Sequence, residues 1–251
     1  MRDERKTAMA HDGVNWSLLI EGCRAFGIDL TENQVDLFQL YYTHLDKMNR
    51  VMNLTAITTW QEVIAKHFLD SLSIAKYMDL SGNLSVIDIG TGAGFPGIPL
   101  KIVYPGMQVT LVDSLNKGIR FLDEVIALCG LSGIRAVHAR AEELGRDRDY
   151  REQYDLCASR AVANLSSLCE YCLPFVKKGG VFAAYKSAEI GEELKKAKRA
   201  VRILGGELRH EPEVFELPGS DQKRTIVLID KKEPTPSLYP RKPGTPAKNP
   251  L

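Results

Sequence analysis

The feature that most constrains this chain is an apolar run that ends in closely spaced glycines. Val86, Ile87 and Ile89 are typical of a strand buried on both faces of a parallel sheet, and segment 90–97 follows with four glycines. Because glycine has no side chain, the backbone can turn sharply there and come close to a ligand. A strand, a glycine-rich turn and a helix predict a doubly wound α/β sheet with a nucleoside-type cofactor at its carboxyl edge.

Two cofactor motifs overlap in this segment, and Asp88 distinguishes them. Segment 92–97 satisfies the dinucleotide pattern G-x-G-x-x-G, which is weak when it stands alone. The spacing from Asp88 to Gly94 resembles instead the first motif of class I S-adenosylmethionine-dependent methyltransferases. A pyrophosphate disfavours a neighbouring carboxylate, whereas the ammonium and sulfonium of S-adenosylmethionine favour one. A turn that only packs a helix on a strand is the alternative. We expect these residues to bind the cofactor: Asp88, Gly90, Gly92 and Gly94.

A second acid ends the next strand-like segment. Asp113 lies 21 positions after Gly92, where a carboxylate can accept hydrogen bonds from both ribose hydroxyls of an adenosine-containing ligand. NAD-dependent enzymes use the same device, so Asp113 does not choose between the two cofactors. Its alternative role is a helix cap, although Ser114 or Asn116 could cap the following helix as well.

Strand and helix signals alternate through the second half of the chain, as parallel βαβ units require. The first five strand-like segments are 84–90, 107–113, 134–139, 154–159 and 180–186. Glu207–Leu217 and Lys223–Asp230 follow, joined by hairpin-type residues at 218–221. A dinucleotide domain would continue with parallel units. The sequence thus predicts an α/β fold: a Rossmann-like class I methyltransferase sheet with a closing antiparallel hairpin and an N-terminal helical extension.

The chain divides into four predicted segments. We expect a disordered N-terminus at 1–13, a helical extension at 14–82, a methyltransferase domain at 83–233 and a Pro-rich basic arm at 234–251. In the extension, Thr31 and Gln34 can form a capping box. An amphipathic stripe follows it, made of Val35, Phe38, Tyr42, Leu45 and Met48.

Two basic segments are candidates for contact with nucleic acid. The C-terminal arm holds six of the twelve prolines, three basic residues and no acids. It is either a floppy end or a basic arm beside the substrate cleft. A helix predicted near 190–204 carries a charged face that is usually only solvated, with nucleic-acid contact as the alternative. Its members are Lys195, Lys196, Lys198, Arg199 and Arg202.

Composition narrows the class of protein. Charge is balanced, with 33 basic against 32 acidic residues, so bulk electrostatics does not indicate a polyanionic partner. Five cysteines without framework spacing suit a reducing cytosol, and Cys169 and Cys172 are interpreted as core packing rather than a zinc or redox site. A charged start and the lack of a long apolar stretch predict a soluble, cytoplasmic protein that does not enter a membrane.

With these features placed, the chain resembles the RsmG family, also called glucose-inhibited division protein B. This family comprises bacterial 16S ribosomal RNA guanine-N7 methyltransferases. The resemblance covers almost the whole chain beyond residue 30, with one departure at Ser187, where the family usually has glycine. The matching segments are Asn53–Ile57, His67–Leu72, Asp88–Pro99, Asp113–Lys117, Arg140–Glu142, Ser159–Val162, Tyr185–Lys186 and Pro240–Gly244.

The resemblance implies a cofactor site and its product, S-adenosylhomocysteine. Ala141 and Glu142 follow the third strand, where adenine is expected to lie. Arg160 ends the fourth strand, where it can bind a carboxylate or phosphate in bidentate fashion, and an ion pair with Glu142 or Asp88 is its alternative role. The cofactor contacts implied in addition to the glycines are Phe95, Asp113, Ser114, Ala141, Glu142 and Arg160.

The resemblance also implies the chemistry. Guanine N7 has a free lone pair and bears no proton, so we expect in-line methyl transfer without a general base. The candidates near the target base are Asn53, His67, Arg160 and Lys186, of which Asn53 and His67 have packing of the extension as their alternative. Lys186, Arg241 and Lys242 are predicted to contact RNA, with 16S ribosomal RNA or the small subunit as partner. No metal is expected, and a monomer is the default state.

Two other functions are kept open from the sequence. One is an NAD-dependent oxidoreductase, which would need a substrate domain with a hydride-transfer acid or base. The other is an RNA-binding assembly factor that has retained a cofactor fold. Binding of S-adenosylhomocysteine separates the first from a methyltransferase, and turnover on RNA separates the second.

Overall fold

The fold is an eight-stranded mixed sheet with helices on both faces. It is taken from a computed structural model that describes residues 15–160 and 163–251. The predicted disordered segment 1–13 lies outside these residues. The strands are β1 Ser85–Ile89, β2 Gln108–Asp113, β3 Ile134–His138, β4 Tyr154–Arg160, β5 Val176–Ser187, β6 Gly206–Leu208, β7 Val214–Glu216 and β8 Lys223–Lys231.

The strand order places a switch point beside β1. The order is β3-β2-β1-β4-β5-β8-β6, with β7 also paired to β8. The first five strands are parallel and β8 is antiparallel to β5. Because the chain runs outward on one side of β1 and then returns to its other side, the loops after β1 and β4 part at that edge and leave a crevice. The predicted parallel sheet with a closing antiparallel hairpin is confirmed.

The closing hairpin differs in detail from the prediction. The segment predicted as one strand, Glu207–Leu217, forms two short strands that pair with opposite ends of β8. The intervening residues include Pro212, which has no N–H to donate to a ladder. At the end of β5, Ser187 continues the ladder opposite Arg224, so the departure from the family's glycine leaves the strand pairing intact.

Helices flank the sheet on both sides. The long elements begin and end close to the predicted signals, and the Thr31–Gln34 capping box is present. The helices are α1 Ser17–Arg24, α2 Glu32–Met52, α3 Trp60–Val63, α4 Asp70–Leu72, α5 Gly97–Val103, α6 Asn116–Leu128, α7 Ala141–Leu144, α8 Leu165–Cys172, α9 Gly191–Ile203 and α10 Thr245–Lys248. A π-helical segment, Ile64–Leu69, joins α3 to α4, and 3-10 turns occupy Ser73–Lys76 and Leu173–Phe175.

Alternate strand residues face two separate cores. Val86 and Leu111 pack in the core under α1, α2, α5 and α6, whereas their neighbours Ile87 and Val112 pack under α8 and α9. This two-sided burial explains why β1 is a continuous apolar run. The second core also holds Cys169 and Cys172, both fully buried, which confirms that these cysteines are packing residues.

The helical extension packs directly on the carboxyl end of the parallel strands. Phe38 and Leu45 of the predicted stripe are fully buried, but the buried face also includes Tyr41, which the stripe omitted. The Tyr41 hydroxyl donates a hydrogen bond to the Ala93 carbonyl of the glycine-rich loop. The Gln34 amide donates to carbonyls at the end of α5, so the extension is attached to the loop and to the helix that follows it.

The C-terminal arm, residues 234–251, is docked along the domain, which corrects the floppy-end alternative. Arg151 donates to the carbonyls of Thr235 at 2.7 Å and Tyr239 at 2.8 Å, and Ser167 donates to that of Pro246 at 2.6 Å. Prolines restrict the backbone before docking, which lowers the conformational entropy lost when the arm docks. Their carbonyls are still able to accept hydrogen bonds.

Within residues 15–160 and 163–251, no helix combines the length and the apolar character that crossing a bilayer requires.

Candidate functional site

The glycine-rich loop between β1 and α5 is closely packed on one side and open on the other. Gly94 has φ +100, and a Cβ there would lie 2.5 Å from Ile98 Cδ1 and 2.8 Å from the Tyr41 hydroxyl. Gly92 has φ +58, and a Cβ there would meet nothing within 4 Å. The loop is therefore anchored to the extension at Gly94 and leaves space for a ligand at Gly92.

Asp88 supports the loop from below. Its Oδ2 accepts hydrogen bonds from the Thr91 hydroxyl at 2.7 Å and from the Gly97 N–H at 2.8 Å. The side chain is fully buried, and this burial raises the pKa of Asp88 to about 6. Among the described residues, its Oδ1 has no hydrogen-bond partner. The structure thus places Asp88 beneath the loop rather than at its surface, because the turn folds over the end of β1.

Asp113 links the loop to the end of β2. Its Oδ2 accepts the Gly92 N–H at 2.8 Å, and its Oδ1 accepts the Leu115 N–H at 2.8 Å. Leu115 is the N-cap residue of α6, and its apolar side chain makes no cap hydrogen bond. The Leu115 N–H is held by Asp113, so this cap-like contact comes from Asp113 rather than from Ser114 or Asn116. Ser114 is exposed beside Asp113, and its carbonyl is bound by His138 Nε2 at 3.0 Å.

Leu115 adds an apolar surface that the sequence reasoning missed. Leu115 is 58% exposed, and it lies two residues after Asp113 at the carboxyl edge of the sheet. An apolar residue at an N-cap position, where polar residues are preferred, is the signal that could have found it.

The expected adenine side of the crevice meets the C-terminal arm. Ala141 begins α7, and Glu142 is nearly fully buried in its first turn. Glu142 Oε1 accepts the Gly244 N–H at 2.8 Å. The two residues lie at the predicted place, after β3, and a backbone group of the arm holds the acid.

Arg160 is fixed by the helical extension. Its Nη1 donates to the Lys66 carbonyl at 2.8 Å and to Asp70 Oδ2 at 2.9 Å. The alternative ion pair with Glu142 or Asp88 is wrong, because Asp70, a buried carboxylate in α4, is the partner. Arg224 Nε lies 3.4 Å from the other Asp70 oxygen. Asp70 was part of the matching segment His67–Leu72 but was not singled out from the sequence.

His67 is a neutral packing group in contact with Arg160. Its ring stacks on Phe95 with centroids 4.4 Å apart, and Nδ1 accepts from Arg160 Nη2 at 2.9 Å. Burial and the Arg160 charge lower the pKa of His67 to about 3. The proton of the neutral ring therefore lies on Nε2, which donates to Thr55 Oγ1 at 2.9 Å.

The Phe95 ring lies at the centre of this cluster. Its ring is almost fully buried, with Arg160 Cζ 5.0 Å and Tyr41 5.4 Å from its centroid. The side chains of Arg160 and His67 lie against this ring, so almost none of the ring surface of Phe95 is exposed.

Lys186 and Asn53 are placed apart from this cluster. Lys186 Nζ donates to the Ala163 carbonyl at 2.7 Å and to Glu193 at 2.5 Å, which ties Lys186 to Ala163, just before α8, and to α9. Asn53 is the exposed C-cap of α2, with φ 49, and its N–H donates to the Asn49 carbonyl. The packing alternative therefore describes the contacts of His67, whereas Asn53 is an exposed helix C-cap.

The two arm residues predicted to contact RNA, Arg241 and Lys242, have different environments in the structure. Arg241 binds Glu170 through Nε and Nη2, at distances of 2.6 to 3.1 Å, and Glu170 is fully buried. This corrects the prediction for Arg241, because its charge is committed to an internal carboxylate. Lys242 is exposed. No group of three or more His, Cys, Asp or Glu side chains is arranged for a metal ion in the part of the chain that the structure describes.

Comparisons with known proteins place the chain in a family. The family model for GidB, rRNA small subunit methyltransferase G, matches residues 34–220. Proteins named ribosomal RNA small subunit methyltransferase G are 52% identical in Lachnoclostridium phytofermentans, over 94% of this chain and 97% of the relative, and 53% identical in Acetivibrio thermocellus, over 93% and 96%.

A solved structure supports the fold. TrmN from Thermus thermophilus superimposes with a TM-score of 0.50 at 20% identity, over 67% of this chain and 53% of that one. The fold is that of class I S-adenosylmethionine-dependent methyltransferases, as predicted from the loop and the hairpin. Together with the sequence matches over most of its length, this establishes that the chain belongs to the GidB family, rRNA small subunit methyltransferase G.

Proposed function

We propose that this protein transfers a methyl group from S-adenosylmethionine to N7 of a specific guanine in 16S ribosomal RNA. Family membership supports the reaction class and the ribosomal RNA substrate, since the relatives carry the name ribosomal RNA small subunit methyltransferase G. The observation that carries the proposal is the joining of the glycine-rich loop to Asp113, which prepares a crevice for an adenosine-containing cofactor.

The residues of the crevice fit this cofactor. Each Asp113 oxygen accepts one backbone N–H, and a carboxylate can accept about four hydrogen bonds, so both ribose hydroxyls can still be bound. The exposed Leu115 side chain offers apolar contact to a base, and the open space at Gly92 admits close approach of the ligand. Bound S-adenosylmethionine supplies a methyl group on a positively charged sulfur.

Arg160 is the residue that we assign to orienting the reactants. Its Nη1 protons are used by the Lys66 carbonyl and Asp70 and one Nη2 proton by His67. Among the described residues, this leaves the second Nη2 proton and the Nε proton to donate. These donors suit an oxygen acceptor such as guanine O6 or the cofactor carboxylate. Alignment of reactants in this way can supply about 7–11 kcal/mol of a displacement barrier.

No side chain is assigned as a general base. Guanine N7 carries no proton, and neutral His67 is engaged through both ring nitrogens. Lys186 is bound to Glu193 and to the Ala163 carbonyl, and we assign it to positioning Ala163, just before α8, near the target base. Exposed Lys242 is assigned to RNA contact. We propose that the protein acts as a monomer, without a metal.

The decisive experiment maps the modified base. The purified protein is incubated with methyl-labelled S-adenosylmethionine and small subunits, or free 16S RNA, from a strain that lacks this protein. N7-methylguanine is located by reduction and aniline cleavage of the RNA. Label at one guanine N7 supports the proposal, and label at another atom contradicts it.

Two further outcomes address the other functions. Binding of S-adenosylhomocysteine without turnover on any of these RNAs would favour an RNA-binding assembly factor. Calorimetric binding of NADH in place of S-adenosylhomocysteine would favour an oxidoreductase. Comparison of free RNA with assembled subunits in the same assay identifies the substrate form.

A further inference from the structure

The C-terminal arm contacts the expected adenine side of the crevice. It enters near Lys231 and Thr235, at the end of β8, and reaches Glu142 in α7 through Gly244. Because β8 is antiparallel to β5, Lys231 lies at the edge opposite to the crevice. The arm therefore spans the domain from one edge of the sheet to the other.

The arm is fastened midway by a buried ion pair. Arg241 donates to Glu170 from its backbone N–H at 2.7 Å, from Nε at 2.9 and 3.1 Å, and from Nη2 at 2.6 Å. Glu170 is fully buried in α8, so Arg241 supplies the hydrogen bonds that water cannot. Loss of one member of a buried, hydrogen-bonded pair is strongly unfavourable, which makes the pair a strong clamp on the arm.

Three residues beyond the clamp, the arm binds Glu142. Gly244 adopts φ +79, and its N–H donates to Glu142 Oε1 at 2.8 Å. Among the described residues, Glu142 Oε2 accepts no hydrogen bond. One oxygen of this nearly buried carboxylate is thus held by the arm, and the other is left to accept from a donor such as the exocyclic amino group of adenine.

We infer that the C-terminal arm is part of the cofactor site, with Arg241 as a positioning residue that acts through Gly244 on Glu142. This inference rests on the proposed function. Because binding free energies are reciprocal, docking of the arm strengthens cofactor binding and the bound cofactor strengthens docking of the arm to the same extent.

Calorimetry of S-adenosylhomocysteine binding tests the positioning role. We expect Arg241→Gln and Glu142→Gln each to raise Kd about tenfold, which corresponds to about 1.4 kcal/mol. The double variant is expected to bind no more weakly than either single variant, because both changes act on the same contact between Gly244 and Glu142. Lys248→Gln removes a charge from the same arm at an exposed position and is expected to bind as the wild type does. Unchanged Kd in Arg241→Gln, or additive losses in the double variant, would overturn the inference.

Hydrogen exchange on the wild-type protein tests the reciprocal effect without any substitution. We expect S-adenosylhomocysteine to slow amide exchange in the peptide 241–249, which contains the Gly244 donor. Wild-type binding of S-adenosylhomocysteine without slower exchange would overturn this inference and leave the proposed function intact. Absence of wild-type binding would overturn both.

Discussion

Arg160 donates a hydrogen bond to Nδ1 of His67 over 2.9 Å, and the two groups lie together over the ring of Phe95. Burial and the permanently charged guanidinium together keep the imidazole neutral, and the imidazole in turn fixes the direction of the guanidinium. The crevice contains a rigid donor here rather than a titrating acid or base. This arrangement suits a reaction in which alignment of the reactants is the main requirement.

Replacement of Arg160 tests its orienting role. We expect Arg160→Ala to weaken S-adenosylhomocysteine binding or RNA methylation at least tenfold, or about 1.4 kcal/mol, because the remaining donors are lost. Arg160→Lys is not expected to restore activity, since an ammonium cannot bridge Asp70, Lys66 and His67 in one plane. Arg209→Ala removes an arginine paired with Asp230 elsewhere on the sheet and serves as the control. Wild-type binding and methylation in Arg160→Ala would remove this residue from the site.

The low pKa of His67 predicts a pH dependence of stability. Its pKa is about 3 in the folded protein and about 6.5 when unfolded, so the unfolded state binds more protons between these values. The free energy of unfolding should therefore fall as pH decreases from 6.5 towards 3, by up to about 1.4 kcal/mol per unit. Urea unfolding at pH 7.5 and 5.0 measures this. His67→Gln should show a smaller difference between the two pH values, and an equal difference would contradict the assignment.

Gly94→Ala should disturb the loop more than its backbone angle alone would explain. The new Cβ would clash with Ile98 and with the Tyr41 hydroxyl, in addition to the strain of φ +100. We expect Gly94→Ala to lower the free energy of unfolding by about 1–3 kcal/mol more than the control variant does. The control is Gly130→Ala, where φ is +60 but a Cβ meets nothing within 4 Å. Thermal unfolding and S-adenosylhomocysteine affinity of the two variants should differ; equal effects would show that the contact with Tyr41 is unimportant.

Lys231 should stabilise the attachment of the arm. Its buried Nζ donates to Glu152, Thr235 and two carbonyls, including that of Leu173 at 2.7 Å. Lys231→Met would remove this buried donor from all of its acceptors and should lower the free energy of unfolding by about 1–3 kcal/mol. The neighbouring exposed Lys232→Met is the control. Chemical denaturation and proteolysis of the arm measure the effect, and equal stability of the two variants would refute it.

The same lysine predicts a rise in stability at alkaline pH. Burial lowers the pKa of Lys231 to about 8, below its unfolded value of 10.5. The unfolded state therefore binds more protons between these values, and the contribution of Lys231 to the free energy of unfolding increases from pH 8 to 10.5. Comparison of the wild type with Lys231→Met across this range isolates it. A constant difference between the two would show that the pKa of Lys231 is not lowered.

Local features of the sequence were sufficient to predict the fold. The apolar run of β1, the spacing of the glycines after it and the turn residues before β8 each act over a few residues, so they can be recognised without knowing what packs nearby. Asp113 was predicted in the same way, because the carboxyl ends of parallel strands meet at one edge, whereas Glu142 was implied by the family resemblance. Pro212 is a local signal of the same kind, because a proline marks the break between the two short strands of the closing hairpin.

Partner choice among the charged residues was decided only by the tertiary structure. Arg160 pairs with Asp70, 90 positions away, because the helical extension covers that end of the sheet. The sequence predicts Arg241 to contact RNA, but the structure pairs it with Glu170, a buried carboxylate of α8. A sequence by itself determines which residues can be charged and which segments are apolar. Which charges lose their water, and therefore must find each other, depends on packing between segments that are distant in the chain.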